Sequence, residues 1–165
     1  KKIAVLKKQE KPKVSIQFLL DLKKKKKFKK KKKKKKKMDR KIISTGALIG
    51  MVAIILGAFG AHALKKVLDT EQLITFETGV RYQMYNGLFL ILIGTLTSLP
   101  EKTKKRIYFL TVAGVLLFSG SIYLLATNSL SSFDFKTIGF VTPIGGLLLI
   151  LAWGALLLNY FNKKS

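Results

Sequence analysis

The chain has no cysteine and one histidine, His62, in 165 residues. Disulfides, thiol catalysis and cysteine-held metals are therefore excluded, as is any site that needs two imidazoles from one chain. Acids are scarce as well: eight stand against 32 Lys and Arg, for a formal net charge of +24. The sequence contains no G-x-S-x-G, H-E-x-x-H, P-loop or G-x-G-x-x-G pattern, so the common nucleophile, zinc and nucleotide sites lack their residues. The apolar runs hold no pair of carboxylates for acid–base work. These absences point to a non-enzymatic protein with no catalytic residue, no cofactor and no metal.

Two features that are present rarely coexist in a soluble domain: 48% hydrophobic residues and a very high positive charge. They separate along the chain. Residues 1–37 carry 20 of the 32 basic residues and two acids, and residues 38–165 carry 12 and six. Lys23–Lys37 is lysine except for Phe28. Like charges at that density repel and bury no core, which predicts a disordered tail over 1–37. Such a tail reads either as a polybasic arm for nucleic acid or anionic lipid or as an upstream stretch translated from the wrong start. The second reading is preferred, because Met38 stands directly before Asp39, Arg40 and an apolar run. For 38–165 no nucleic-acid partner is expected.

The remainder reads as an all-α, polytopic membrane protein. At 1.5 Å per residue a helix needs about 20 apolar residues to cross the ~30 Å hydrocarbon layer. Four spans are predicted, at about 42–64, 84–99, 107–126 and 138–161, packed as a four-helix bundle. Backbone amides in lipid must be satisfied within the segment, which makes these helices. The second span is short, and its helix is expected to begin earlier. Asp69-Thr70-Glu71-Gln72 has the residues of a helix start, with acids at the positive end of the dipole. Leu73, Phe76, Val80 and Met84 then recur at helical spacing. This predicts an amphipathic segment leading into the second helix, with Gly79 as a point of bending. Residues 71–98 would measure about 42 Å as a straight helix, so the first turns belong in the interface or above it.

Loop charge sets orientation. With the N-terminus inside, Arg40, Lys41, the 101–106 loop (Lys102, Lys104, Lys105, Arg106) and Lys163 and Lys164 lie on the cytoplasmic side, against Lys65, Lys66, Arg81 and Lys136 outside. Both termini are therefore expected in the cytoplasm, with the protein in a bacterial cytoplasmic (inner) membrane.

Lipid tails are as apolar as leucine, so small residues rather than hydrophobicity draw spans together. Gly46, Gly50, Ala53, Gly57 and Gly60 line one face of the first span, Gly87, Gly94 and Ser98 the second, Gly114 and Ser121 the third, and Gly145, Ala152 and Ala155 the fourth, with Gly120 and Gly146 as further packing candidates. Packing within the chain is the preferred use of these faces; the alternative is a homo-oligomer through Gly46 and Gly50. Glu77 and Arg81 are spaced i, i+4 and can pair on one helix face. The plain reading is an interfacial ion pair. The sharper one is a polar cluster of His62, Glu77, Arg81, Gln83 and Asn86 at the outer mouth of the bundle, since ionisable groups near the membrane are functional suspects.

Four segments in register carry a family resemblance: Gly57-Ala-Phe-Gly-Ala-His62, Phe76-Glu-Thr-Gly-Val-Arg-Tyr-Gln-Met-Tyr85, Leu117-Phe-Ser-Gly-Ser-Ile-Tyr123 and Thr142-Pro-Ile-Gly-Gly146, with Trp153 beyond. Over residues 40–160 the chain resembles the domain of unknown function 423 family, small bacterial inner-membrane proteins with the eukaryotic transmembrane protein 256 among their relatives. The resemblance implies a four-helix membrane protein without an assigned activity. Asn86 stands where such proteins usually have histidine, which weakens a histidine-dependent metal site or proton relay there, and the lysine tail has no counterpart. The expected role is a non-enzymatic accessory or structural membrane component, in contact with the lipid bilayer and with a homo-oligomer or membrane-protein partner. The alternative is a small transporter or channel for an ion or metabolite.

Overall fold

The computed structural model of the chain describes residues 16–161. The described structure is all α: helices α1 (Ile16–His62), α2 (Thr70–Thr95), α3 (Glu101–Ala126) and α4 (Val141–Phe161), with single 3-10 turns at Leu64–Lys66, Asn128–Leu130 and Phe135–Ile138. The chain divides into two units, Lys1–Lys35 and Lys36–Ser165.

Of the first unit, the described part is helical from Ile16 onward, where the charge run led us to expect disorder over 1–37. Lysine loses little rotamer freedom in a helix and ranks close to leucine as a helix former. Extending an existing helix also avoids the cost of a new nucleus. Residues 1–15 lie outside the described residues, as do 162–165, which include Lys163 and Lys164.

The second unit is a bundle in which successive helices run antiparallel. Gly60 faces Phe76 and Gly46 faces Gly87 between α1 and α2. Gly79 faces Tyr123 between α2 and α3, and Gly114 faces Leu149 between α3 and α4. Among the described residues three segments are long and apolar enough to cross a membrane: Phe18–Lys66, Glu101–Ala126 and Phe135–Phe161. At 26 residues α2 is also long enough, about 39 Å. Its first half, however, carries Glu71, Gln72, Glu77 and Arg81, so no apolar window fills it.

The helix boundaries have local causes. Asp69 caps α2: its carboxylate accepts from the Gln72 amide at 2.8 Å, and the Gln72 side chain accepts in return from the Asp69 amide at 3.1 Å. This capping box satisfies two donors that a helix start leaves over, and it confirms the predicted start. Expected spans differ at other ends. The 101–106 segment, read as a loop, is the first turn and a half of α3. Pro100 occupies the N-cap in an extended conformation, and proline lacks only an amide that would find no partner there. The true connection is Leu96–Pro100. Thr142 and Pro143 lie in the first turn of α4, which begins at Val141 rather than at about 138. α2 runs without interruption through Gly79.

The interior has two apolar cores, one toward each end. The larger comprises Ile42, Phe89, Leu90, Ile93, Leu99, Ile107, Tyr108 and Ala152. The smaller comprises Leu64, Leu68, Phe76 and Ala126. Between them, α1 and α2 approach backbone to backbone. A Cβ on Gly46 would stand 2.6 Å from the Gly87 carbonyl, and one on Gly87 would stand 3.0 Å from the Gly46 carbonyl and the Gly50 amide. Only glycine permits that approach, the packing mode that works in lipid.

Candidate functional site

Buried polar side chains form three braces between helices, while Asn86 Oδ1, Thr111 Oγ1 and Ser119 Oγ are buried without a hydrogen-bond partner among the described residues. The first is an ion pair. Lys104 on α3 is 1% exposed, and its Nζ donates to Asp39 Oδ1 at 2.6 Å and to the Gly94 carbonyl at 3.1 Å. One cation thus ties the start of the α1 span, the end of α2 and the start of α3. Ammonium groups are costly to bury unless paired and fully hydrogen-bonded, and Asp39 together with a carbonyl near the end of α2 supplies that pairing. The second brace centres on Gln83. Its Nε2 donates to the Ile49 carbonyl at 3.0 Å, and its Oε1 accepts from Tyr123 Oη at 2.8 Å, linking α1, α2 and α3. The third joins α3 to α4. Ser121 Oγ and Thr142 Oγ1 lie 2.7 Å apart, and Ser121 also donates to the Phe118 carbonyl.

The candidate residues from the sequence are dispersed. His62 ends α1 and is exposed, as are Glu77 and Arg81. The expected Glu77–Arg81 pair is not among the ion pairs of the described residues, which are Lys104–Asp39 and Lys105–Glu101. Arg81 Nη2 instead reaches Thr78 Oγ1 at 3.4 Å. An exposed pair gains little over separate hydration, about 0–1 kcal/mol, so spacing alone does not enforce it. Gln83 turns inward to its brace. Asn86 is buried, and its Nδ2 donates to the Tyr82 carbonyl of its own helix. The five residues therefore do not meet as one cluster. Among the described residues no three carboxylates or imidazoles gather as a metal site would require.

Of the glycines singled out for packing, Gly46, Gly57, Gly60, Gly87, Gly94, Gly114 and Gly145 lie in tight interhelical contact. Gly50 and Gly146 sit more loosely, against Met84 at 3.6 Å and the Phe118 ring at 3.5 Å. Gly120 meets nothing within 4 Å and belongs to no seam. The Lys104 brace was missed because the residue was assigned to a loop. A signal was available: Lys104, Ile107, Tyr108, Thr111 and Val115 recur at helical spacing, and all five are buried.

Clefts indent the bundle on two sides of α4. One, of about 670 Å³, lies between α2, α3 and α4 and is mostly apolar, with Tyr82, Asn86, Phe118, Ile150, Trp153 and Leu157 in its wall. Trp153 stacks on Phe89 beside it, ring centroids 4.1 Å apart. The other, of about 470 Å³, lies at the Lys104 end, where α4 meets the α2–α3 turn and the start of α3.

Comparison with known proteins places this architecture. The family described as "Protein of unknown function (DUF423)" matches over residues 56–146. The chain belongs to the DUF423 family. A UPF0382 membrane protein of Staphylococcus haemolyticus is 40% identical over 120 residues, covering 73% of this chain and 94% of the relative. One from Haemophilus influenzae is 34% identical over 129 residues, 78% of this chain and 99% of the relative. The UPF0382 membrane protein YwdK of Bacillus subtilis is 37% identical over 115 residues, 67% and 88% respectively. No solved structure matches at a significant level. This DUF423 chain is thus a multi-pass helical membrane protein of a family without an assigned activity.

Proposed function

We propose that the protein is a non-enzymatic structural or accessory component of a bacterial cytoplasmic membrane, crossing it four times with both termini on the cytoplasmic side. The observation that carries this reading is the use of its buried polar groups. Lys104, Asp39, Gln83, Tyr123, Ser121 and Thr142 are engaged in joining helices, and the three buried polar atoms left over, on Asn86, Thr111 and Ser119, carry no charge. A bundle so braced is suited to present a fixed surface to another membrane protein.

The reading takes α2 as the fourth crossing. Its polar residues at membrane depth, Gln83 and Asn86, face the bundle and are 6% and 3% exposed. A helix shielded in this way needs no continuous apolar run. Orientation follows the positive-inside rule: the Lys104 end carries the excess of cations and is assigned to the cytoplasm.

Purification of the full chain in mild detergent after cross-linking in membranes tests the accessory role. A membrane protein recovered at fixed stoichiometry, or a defined homo-oligomer, is the expected result. Proteoliposome flux tests the transporter alternative. Flux of an ion or metabolite that is lost in both Glu77→Gln and Arg81→Ala would replace the accessory reading with a transport one.

A further inference from the structure

The cleft at the Lys104 end has a chemistry that the braces do not use. It is lined by Ser98, Thr103, Arg106 and Asn159, with Ala155 and Leu158 on the α4 side. The polar wall is rich in donors. Arg106 is exposed and has no carboxylate partner among the described residues. The local acids are already engaged: Asp39 holds Lys104 and Glu101 holds Lys105, at 2.6 and 3.8 Å. Thr103 donates to Asn159 Oδ1 at 3.4 Å, which leaves the Asn159 amide hydrogens without a protein acceptor among the described residues. Ser98 Oγ and Tyr160 Oη lie 3.1 Å apart at the rim. The α4 side includes the exposed apolar side chain of Leu158.

We propose that this cleft binds the phosphate of an anionic phospholipid, with Arg106 as its principal ligand and the lipid's acyl chain along Leu158. Three independent observations converge. Guanidinium presents a planar fork of donors that matches phosphate oxygens. The end as a whole is cationic, with Arg40, Lys41, Lys102, Lys104, Lys105 and Arg106 against Asp39 and Glu101, so an anion is attracted there before any contact forms. The cleft is also polar on one side and apolar on the other, which fits an amphiphile better than a free ion. Basic pockets between membrane helices on the cytoplasmic side are a recognised setting for anionic headgroups. The proposal uses the assignment of this end to the membrane interface but not the accessory role. A failed partner search therefore leaves it standing, and a failed lipid titration leaves the accessory reading standing.

Native mass spectrometry of the full chain in mild detergent provides the test, with phosphatidylglycerol, phosphatidylcholine and inorganic phosphate titrated separately. Phosphatidylglycerol is expected to be retained in preference to phosphatidylcholine, and excess inorganic phosphate should not displace it. Arg106→Ala should weaken phosphatidylglycerol retention about tenfold or more, the size of a lost charge-assisted contact. Lys102→Ala, which removes a charge from the same end but does not line the cleft, should leave retention within about twofold. Arg106→Lys should recover only part of the loss, because the fork is absent. Equal losses in the Arg106 and Lys102 variants would reduce the site to diffuse charge and overturn the proposal. Equal retention of the two lipids would also overturn it. Full displacement by inorganic phosphate would assign the cleft to free phosphate rather than lipid. Helical circular dichroism of each variant, unchanged from wild type, separates lost binding from lost fold.

Discussion

The two ends of the bundle are built differently. At one end a five-residue turn joins α2 to α3, a buried ion pair ties three helices, and the larger apolar core fills the space beneath. Eight cations there, Lys36, Lys37, Arg40, Lys41, Lys102, Lys104, Lys105 and Arg106, face two acids, Asp39 and Glu101. At the other end the connections are longer and wound into 3-10 turns, the core has four residues, and Phe133, Phe140 and Leu130 stand exposed. Its charges balance, Lys65, Lys66, Arg81 and Lys136 against Asp69, Glu71, Glu77 and Asp134. A helix bundle in lipid gains little from hydrophobicity between its helices. Its ends, where backbone meets water, are therefore where specific polar contacts decide stability and orientation. Among the described residues the ion pairs lie at the cationic end, whereas the other end is held by caps and by hydrogen bonds such as Gln72–Ser129 and Asn128–Asp134.

The contrast can be broken most forcefully at Lys104. Asp39→Ala leaves a buried ammonium without its counter-ion and should cost about 3–5 kcal/mol, seen as a large fall in the detergent melting temperature. The double variant Asp39→Leu with Lys104→Met removes both charges and should recover most of that loss. If the double variant is as unstable as the single one, packing around the pair, rather than unpaired charge, governs this end.

Next in size is the seam between the ends. Gly46→Ala drives a methyl against the Gly87 carbonyl and should destabilise the bundle by about 1–3 kcal/mol. Gly120→Ala, in open space, should leave melting unchanged and slightly favour the helix.

At the neutral end, Asp69→Ala removes the α2 capping box and should cost about 1 kcal/mol. Hydrogen exchange should show the loss confined to the first turns of α2. Smallest of all, Glu77→Gln and Arg81→Ala should give no measurable change in melting temperature, since neither residue pairs with the other. A shared loss, restored by exchanging the two charges, would instead mean that they pair in the membrane.

Much of this organisation was legible in the sequence, and the physical reason differs by feature. The α2 start was readable because a capping box is local, with Asp69 and Gln72 three residues apart. The small-residue faces were readable because helical periodicity is local too. Which glycine matters most was not: Gly46 and Gly50 look alike in sequence, yet one meets a carbonyl and the other the flexible end of Met84. The Gln83–Tyr123 bond joins residues 40 apart, and no spacing rule reaches that far. Lys104 was hidden by a boundary error. Once Pro100 is recognised as the start of α3, its place on the buried stripe follows. Glu77 and Arg81 show the reverse fault, where a spacing that permits a contact was read as evidence for it.

The account rests on the cationic end facing the cytoplasm, with α2 crossing the membrane to reach it. The absence of native cysteine makes single-cysteine labelling in intact cells a direct measurement. With a membrane-impermeant maleimide, Ser132→Cys should react from outside. Lys102→Cys should react only after the membrane is permeabilised. Labelling of Lys102→Cys from outside in intact cells would contradict the account, because the cationic end would then lie on the wrong face.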